Sequence, residues 1–372
     1  MRKTCKSILC FALLFVSLLF GAGEVSAKNE TVDKQQSGLF LITEKVPKRI
    51  EDFAISQKEV VFDSLPEVVD DWIKYEDRQL SLAYGEPFVL GDVVYFPILC
   101  DKTIIALLGI LNCDDLGWTL SEEFSDELNK LSKMTSKSYP VELLTNNGDV
   151  FACIDNREIR ITNHPNKGLD NNDVKKNKHD LITTNALKKM KGSACRMTIT
   201  INTKAGAKEK YLDLDRNETQ NDEEWCAAFC GAQIMRFKGK NKYAYHLMHW
   251  LYPDMKLSDL KKESMSVGEL MQYGRENGFN STHVFYRTME FKEVKGQIDA
   301  RLPIYIGAEG YGKWKNARHA FVIRGYNANN NTYSVWNPWY KGYSTLLAKT
   351  NNISASGGGF TWDRSIFNWF LG

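Results

Sequence analysis

The sequence lacks several features that mark common classes of function. Its 372 residues carry a formal net charge of only +2, so composition implies no strong field for nucleic acid. It contains no C-x-x-C pair, no His-Glu-x-x-His pattern and no internal repeat, which argues against a thioredoxin-like pair, a zinc peptidase and a repeat fold. After the first 27 residues, no apolar run is long enough to span a bilayer.

The N-terminus has the pattern of a secretory signal peptide. A basic start precedes the apolar run Ile8–Phe20, and small residues follow at Ser26 and Ala27. This run is too short for the ~30 Å of hydrocarbon that a membrane helix crosses. We therefore predict a signal over residues 1–27 and export of the chain, with an uncleaved anchor as the alternative.

The length suggests about two domains, and the two halves of the chain differ in charge. Residues 1–200 carry 25 basic and 29 acidic side chains, whereas residues 201–372 carry 23 and 17, so two lobes of opposite sign could attract each other. Residues 28–60 show no sustained period and predict a loosely ordered lead-in. Residues 61–163 predict a compact α+β unit, and the Lys-, Asn- and Gly-rich residues 164–210 predict an exposed linker.

Apolar periodicity and turn signals predict the elements of both domains. In the first we expect helices at "VVDDWIKY" and "SEEFSDELNKLSKM", strands "FVLGDVVYFPILC" and "IIALLGILNC" around a turn, and a hairpin at "YPVELLTNNGDVFACI". In the second we expect helices at 226–236, "YAYHLMHWLY" and "VGELMQYGREN", and then strands at "LPIYIGAE", "HAFVIRGY" and "TYSVWNPW". Helices first and strands afterwards indicate an α+β fold rather than an alternating parallel sheet.

Eight cysteines in an exported chain raise the question of disulfides. In a tight hairpin, Cys100 would lie at the turn and Cys113 at the far end, beyond the ~7 Å between α-carbons that a bridge allows. We therefore predict no bridge between them. Cys226 and Cys230 in "QNDEEWCAAFC" lie one helical turn apart, and we predict that Cys230 is a packing residue.

Cys226 is a candidate nucleophile because it follows Trp225 at a predicted helix start, where the helix dipole stabilises a thiolate. A buried structural cysteine is the alternative, and for this residue alone it is the commoner case. Gln220 lies six residues upstream, so its amide could loop back beside the thiol. It would then join the N–H of Cys226 as a donor to the oxyanion that acyl transfer creates.

His319 opens the predicted strand "HAFVIRGY", and Asn337 stands 18 residues later in "SVWNPWY". The intervening "NANNN" predicts a turn, so the two strands would pair antiparallel and bring the two side chains together. The amide oxygen could then accept from one imidazole nitrogen and leave the other for the thiol. An unrelated His and a turn Asn are the alternative for each residue alone. His246 and His249 have no matching ligand pattern, so we expect surface or packing roles for them and no metal.

Gln-x5-Cys, His-Ala before a strand and Trp-Asn-Pro-Trp resemble, in this order, the papain-like cysteine peptidases and, more closely, the staphopain family of secreted bacterial peptidases. The matching segments are "ETQNDEEWCAAF", "KYAYHLMHWLYPDM", "HAFVIRGY" and "VWNPW", and "SLAYGEPFVLGDVVYFPIL" resembles the family's propeptide. The resemblance implies a role for five residues: Cys226 as nucleophile, His319 as general base and acid, Asn337 as orienting residue, Gln220 as oxyanion donor and Trp339 as the shield of the His–Asn bond.

The resemblance also implies a papain-like two-subdomain catalytic domain, with N-terminal helices and a C-terminal antiparallel β half-barrel, preceded by an α+β prodomain. We expect a signal over 1–27, a propeptide over 28–200 and the peptidase over 201–372. Arg318 and Cys230 depart from the family pattern, which usually has a small residue and a non-cysteine residue there. Arg318 could therefore alter the imidazole pKa or the choice of substrate.

The resulting expectation is a secreted cysteine endopeptidase that is made as an inactive precursor and acts through an acyl-thioester. Its partners would be protein or peptide substrates, its own prodomain as inhibitor and a dedicated protein inhibitor. We expect a monomer with no cofactor, nucleic acid or stable membrane anchor. The alternatives are an acyltransferase or transglutaminase-type enzyme that uses the same residues, and a non-catalytic secreted binding module.

Overall fold

The computed structural model describes residues 38–72, 74, 81–146, 149–154, 157–162, 195–196 and 208–372, which belong to one compact unit. The predicted signal peptide and most of the predicted linker lie outside these residues. Within the described part, no helix is both long enough and apolar enough to cross a membrane.

The N-terminal region is a mixture of short helices and strands, which pair antiparallel except for the parallel pair of its first strand, Leu41–Ile42, with Val141–Asn146. Its elements are β1 (Leu41–Ile42), α1 (Lys48–Ser56), α2 (Lys58–Asp63), a 3-10 turn (Leu65–Glu67), β2 (Ser81–Tyr84), β3 (Phe88–Leu90), β4 (Val93–Cys100), β5 (Thr103–Leu111), β6 (Trp118–Ser121), α3 (Ser125–Ser132), β7 (Val141–Asn146), β8 (Asp149–Ile154), β9 (Arg157–Arg160) and β10 (Cys195–Arg196).

The predicted hairpins of this region are confirmed. Strands β4 and β5 pair around a turn in which Cys100 lies opposite Thr103, and β7 pairs with β8. Asp101 takes a left-handed conformation, with φ of 56°, which a two-residue hairpin turn requires. Cys100 at this turn and Cys113 beyond the far end of β5 are not bridged to each other, as predicted.

Two predictions of this region need correction. The lead-in predicted as loosely ordered contains α1 and the start of α2. This was missed because the buried apolar positions of α1, Ile50 and Ala54, are too few among charged residues to stand out as a period. The prediction at "VVDDWIKY" lies partly outside the described residues: Asp70, Asp71 and Trp72 form a turn, and Lys74 is helical. Helix α3 begins at Ser125, not at Ser121, because Ser121 still pairs in β6.

The C-terminal region has its helices first and most of its strands afterwards, as predicted. Its elements are β11 (Glu209–Tyr211), α4 (Cys226–Phe237), α5 (Ala244–Leu251), α6 (Leu257–Leu260), α7 (Val267–Glu276), β12 (His283–Phe285), α8 (Phe291–Asp299), β13 (Ile304–Gly310), β14 (Arg318–Asn327), β15 (Thr332–Trp336), β16 (Tyr343–Leu347), β17 (Asn352–Ala355) and β18 (Gly358–Phe367).

A single large sheet runs through both regions. Fourteen of the described strands belong to it. Eleven follow the path β10-β2-β4-β5-β6-β16-β15-β14-β13-β18-β12, and β3, β11 and β17 pair beside it with β4, β14 and β18. Every described pairing in it is antiparallel. The two regions meet where β6 pairs with β16, with Leu120 opposite Thr345 and Thr119 opposite Leu346. Strands β1, β7, β8 and β9 form a separate sheet. The fold is therefore mixed α+β, and the shared sheet was not predicted.

Although the sheet is shared, the N-terminal and C-terminal regions have separate hydrophobic cores. One cluster contains only residues of the C-terminal region, from Leu212 to Trp369, and includes the buried side of α4. Two further clusters fill the N-terminal region. Leu347 of β16 is the exception, because it packs in an N-terminal cluster with Trp118 and Leu120. The C-terminal region thus has a core of its own, and Leu347 of β16 is its one described residue in an N-terminal cluster.

Candidate active site

Cys226 is the first residue of α4 and is half-buried. The nine residues that follow it, from Ala227 to Met235, are all buried, so α4 is a central helix enclosed by other elements. It packs against β13 and β14. The indole of Trp225 donates to the carbonyl of Leu260 at 2.8 Å and anchors the entry to the helix. The predicted nucleophile therefore occupies a fixed helix N-terminus, where the dipole favours an anion.

His319 and Asn337 are brought together as the strand pairing predicted. Strands β14 and β15 are antiparallel, with Val322 opposite Trp336. His319 precedes this pair on one strand and Asn337 follows it on the other, so their side chains meet. His319 Nε2 and Asn337 Oδ1 are 2.8 Å apart, and both residues are buried. An amide oxygen only accepts, so Nε2 carries the proton and Nδ1 is the nitrogen left to exchange one.

Trp339 covers this hydrogen bond. Its ring stacks on the imidazole with centroids 3.9 Å apart, and its backbone N–H donates to Asn337 Oδ1 at 3.1 Å. The rings of Phe321 and Phe360 complete the enclosure at 4.7 and 5.5 Å from the imidazole. The three aromatic side chains exclude water from one side of His319, which strengthens the hydrogen bond that orients it.

Gln220 lies in the same place but is turned differently from the expectation. Its backbone N–H donates to the carbonyl of Pro338 at 2.8 Å, so it is fixed to the loop between Asn337 and Trp339. Its side-chain Nε2 donates to the carbonyl of Glu223, and its buried Oε1 accepts no hydrogen bond from a described residue. The amide that the sequence assigned to an oxyanion is therefore engaged by Glu223 in this conformation.

The two departures from the family pattern have separate explanations. Arg318 is exposed and forms a two-pronged ion pair with Asp363, at 2.6 and 2.7 Å, with Glu309 at 3.4 Å. Its charge beside His319 is therefore compensated. Cys230 is fully buried, which raises the pKa of its thiol well above the ordinary value, and the nearby charge of Cys226 adds to this. Its predicted packing role is confirmed.

Trp339 was expected beside the base, but the other aromatic side chains around it, Phe321, Phe360 and Trp314, were not predicted from the sequence. Trp314 lies 6.1 Å from Trp339 and 5.5 Å from Phe360. A Cβ at Gly358 would collide with the indole of Trp314, so glycine is required for this close approach. The run of three glycines before Phe360 was the signal that could have revealed it.

His246 and His249 lie on the exposed face of α5, as expected. The Nδ1 of His246 accepts from the backbone N–H of Tyr243 at 3.0 Å, which caps the helix. Among the residues that the structure describes, no group of three or more His, Cys, Asp or Glu side chains could hold a metal ion.

Carboxylates of the N-terminal region contact the C-terminal region beside this site. Asp70 pairs with Arg216 at 2.7 Å and Glu67 pairs with Arg324 at 3.2 Å. The buried Glu123 accepts from both the backbone N–H, at 3.1 Å, and the hydroxyl of Ser356 in the turn between β17 and β18. In both ion pairs the N-terminal region supplies the acidic side chain and the C-terminal region the arginine, in agreement with the charge difference between the two halves of the sequence.

Comparison with known proteins shows what this chain is similar to. Residues 207–369 match the family model described as "Staphopain peptidase C47". An "Extracellular cysteine protease" of Staphylococcus epidermidis is 22% identical over 324 residues, which cover 78% of this chain and 80% of that protein. "Staphopain A" of Staphylococcus aureus is 24% identical over 330 residues, or 79% of this chain and 82% of that protein. A shorter "Extracellular cysteine protease" of Staphylococcus epidermidis is 27% identical over 164 residues, which cover 41% of this chain but 91% of that protein.

Proposed function

Because residues 207–369 match the model of the staphopain peptidase family C47, we propose that the chain is an extracellular cysteine peptidase and that the site around Cys226, His319 and Asn337 is its catalytic centre. We further propose that the chain is a precursor, with a signal over residues 1–27, a propeptide over 28–200 and a papain-like peptidase over 201–372. The observation that carries the proposal is the enclosed His319–Asn337 hydrogen bond beside the helix that Cys226 begins.

The chemistry follows from this geometry. The Cys226 thiolate attacks the carbonyl carbon of the scissile peptide bond while His319 holds the proton on Nδ1. The oxyanion accepts from the N–H of Cys226 and from the amide of Gln220, which must first leave the Glu223 carbonyl. The proton on Nδ1 passes to the leaving amine, and an acyl-thioester remains on Cys226. His319 then takes a proton from water, which attacks the thioester and restores the thiolate.

Asn337 and Trp339 position the base without touching the substrate. The amide oxygen of Asn337 holds the proton on Nε2 and so fixes the tautomer that leaves Nδ1 for Cys226. The stacked indole of Trp339 keeps this bond dry. The papain-like arrangement that we infer has the helices α4 to α7 on one side of the cleft and the strands β13 to β18 on the other.

The N-terminal region fits the role of a folded propeptide. One strand pairing joins it to the rest of the sheet, the β17–β18 hairpin packs on β5 and β6, and ion pairs and hydrogen bonds make further contacts. The C-terminal region has a hydrophobic core of its own. The family model matches residues 207–369, all within the C-terminal region, which supports a peptidase domain distinct from the N-terminal region.

Two cysteine variants test the proposal with a built-in control. Cys226→Ala should abolish cleavage of a denatured protein substrate and labelling by a thiol-directed epoxide, because both need the thiolate. Cys230→Ala should retain both, since this thiol is enclosed in the core one turn further along α4. Cleavage by purified Cys226→Ala would contradict the assignment, and cross-linked or amine-conjugated products in place of free peptide ends would indicate an acyltransferase.

A further inference from the structure

Two arginines of the C-terminal region share one aromatic ring. The guanidinium carbon of Arg324 lies 3.5 Å from the ring centroid of Tyr343, and that of Arg216 lies 4.5 Å from it. Arg324 also donates to the carbonyl of Leu212 at 3.3 Å, and Arg216 donates to the carbonyl of Lys341 at 3.1 Å. The C-terminal region alone therefore holds both cations in position.

The anionic partners of these arginines come from the N-terminal region. Glu67 pairs with Arg324 and Asp70 pairs with Arg216. Among the described residues, no carboxylate of the C-terminal region forms an ion pair with either arginine. Removing the N-terminal region thus leaves two preorganised cations beside one ring without their counter-charges, which is a favourable site for carboxylates.

The same removal frees the edge of a strand. On one side β16 pairs with β15, and on the other side its only described partner is β6. Without β6, the unpaired N–H and C=O groups of β16 form an edge that can accept an extended segment. Leu347 at the end of β16 would also lose its apolar contacts with Trp118 and Leu120.

The strand and the arginines form one continuous surface. Leu120 lies opposite Thr345 in the antiparallel register, so continuing it by two residues places Glu122 opposite Tyr343. Here a cleft of about 370 Å³ is lined by Asp70, Glu122 and Lys341, among others. The N-terminal region thus presents residues of β6 to β16, while the carboxylates of Glu67 and Asp70, from an earlier segment of the chain, meet the arginines.

We propose that the processed peptidase uses this surface, formed by Arg216, Arg324, Tyr343 and the free edge of β16, as an exosite for extended acidic segments of its protein substrates. The proposal rests on the proposed function, since the N-terminal region must first be cut off. The occupant is an extended polypeptide with apolar side chains followed by carboxylates.

A binding experiment tests the surface directly. The chain is allowed to process, Cys226 is blocked with a thiol-directed epoxide, and fluorescence anisotropy follows a labelled peptide of residues 116–123, "LGWTLSEE". We expect binding to the processed form and none to the unprocessed chain, in which the N-terminal region fills the site. Replacing both glutamates of the peptide by glutamine should weaken binding about tenfold, as expected for losing a charge-assisted hydrogen bond.

Variants of the peptidase then separate charge from structure. Arg216→Gln should weaken peptide binding about tenfold, whereas Arg216→Lys should keep most of it. Arg287→Gln is the matched control, because Arg287 pairs with Glu293 in another part of the molecule and should not affect binding. Equal binding of the acidic and neutral peptides, or unchanged binding by Arg216→Gln, would overturn the proposal. So would a processed dimer that Arg216→Gln dissociates.

Kinetics distinguish this proposal from the proposed function. The ratio of kcat/KM for a protein substrate with a flanking acidic segment to that for the same substrate with a neutral segment should exceed 1. It should fall towards 1 in Arg216→Gln, mainly through KM. A ratio of 1 in the unaltered peptidase, with intact hydrolysis of a short peptide, would refute the exosite alone. Absence of hydrolysis of every substrate would refute the proposed function instead.

Discussion

Glu122 gives the interface between the two regions a dependence on pH. It lines the cleft beside Tyr340 and Lys341. Burial raises the pKa of its carboxyl from the ordinary value of 4.5 to about 7, and the charges of Asp70, Asp126 and Asp71 add to this, while a hydrogen bond from the Asp70 backbone opposes it. The neutral form of Glu122 is therefore the one that the folded chain favours.

The sign of the effect follows from the two pKa values. The folded chain binds the proton of Glu122 more tightly than the unfolded chain, so the stabilisation is complete below about pH 4.5. It is lost as the pH rises through about 7. A shift of this size would correspond to about 3 kcal/mol for a fully enclosed group. Because Glu122 is partly exposed, we expect about 1–2 kcal/mol.

The substitution Glu122→Gln tests this directly, because glutamine stays neutral at every pH. In the full chain carrying Cys226→Ala, which prevents self-cleavage, the variant should melt about 2–5 °C above its parent at pH 8 and close to it at pH 4.5. Glu158→Gln, at an exposed position of β9, is the control and should change neither value. An equal difference at both pH values, or none at pH 8, would refute the reasoning.

Three further variants have equally defined outcomes. Gln220→Ala should lower kcat of the processed peptidase about 10²–10³-fold with little change in KM, because its amide acts only on the oxyanion. Asn337→Ala should lower kcat/KM about 10²-fold and change its pH profile, since Nε2 of His319 loses its partner; Asn327→Ala on the same strand pair is a control. Gly357→Ala should destabilise the full chain by about 1–3 kcal/mol in chemical denaturation, because φ is +78° and a Cβ would collide with Leu90 and Thr145. The processed peptidase, freed of these neighbours, should lose less stability.

The catalytic arrangement was largely predictable because short-range rules determine it. The turn between β14 and β15 fixes which residues of the two strands meet, so the distance of His319 and Asn337 from that turn sufficed to bring them together. The helix start at Cys226 was readable from the change from acidic to apolar residues. The direction of the Gln220 side chain was not readable, because it depends on which of several nearby carbonyls the amide meets.

Long-range contacts were beyond the reach of sequence patterns. No strand was predicted at "GWTLS" or "YSTLL", and nothing in these two segments indicates that β6 of one region pairs with β16 of the other. Arg216 and Arg324 look like ordinary basic residues until the fold brings both to Tyr343. The opposite charges of the two halves predicted attraction between them. In the structure, the ion pairs of Glu67 with Arg324 and of Asp70 with Arg216 account for it.

The N-terminal region contacts two elements, β16 and the β17–β18 turn, that lie close in sequence to residues packed on His319. Strand β16 begins four residues after Trp339, which stacks on the base. The turn held by Glu123 leads within four residues to Phe360, whose ring packs on His319. Both elements nevertheless belong to the sheet and core of the C-terminal region, which includes Trp339 and Phe360 but no N-terminal residue. Removing the N-terminal region should therefore open the edges of the site while its aromatic frame stays in place, as a precursor that is activated by cutting requires.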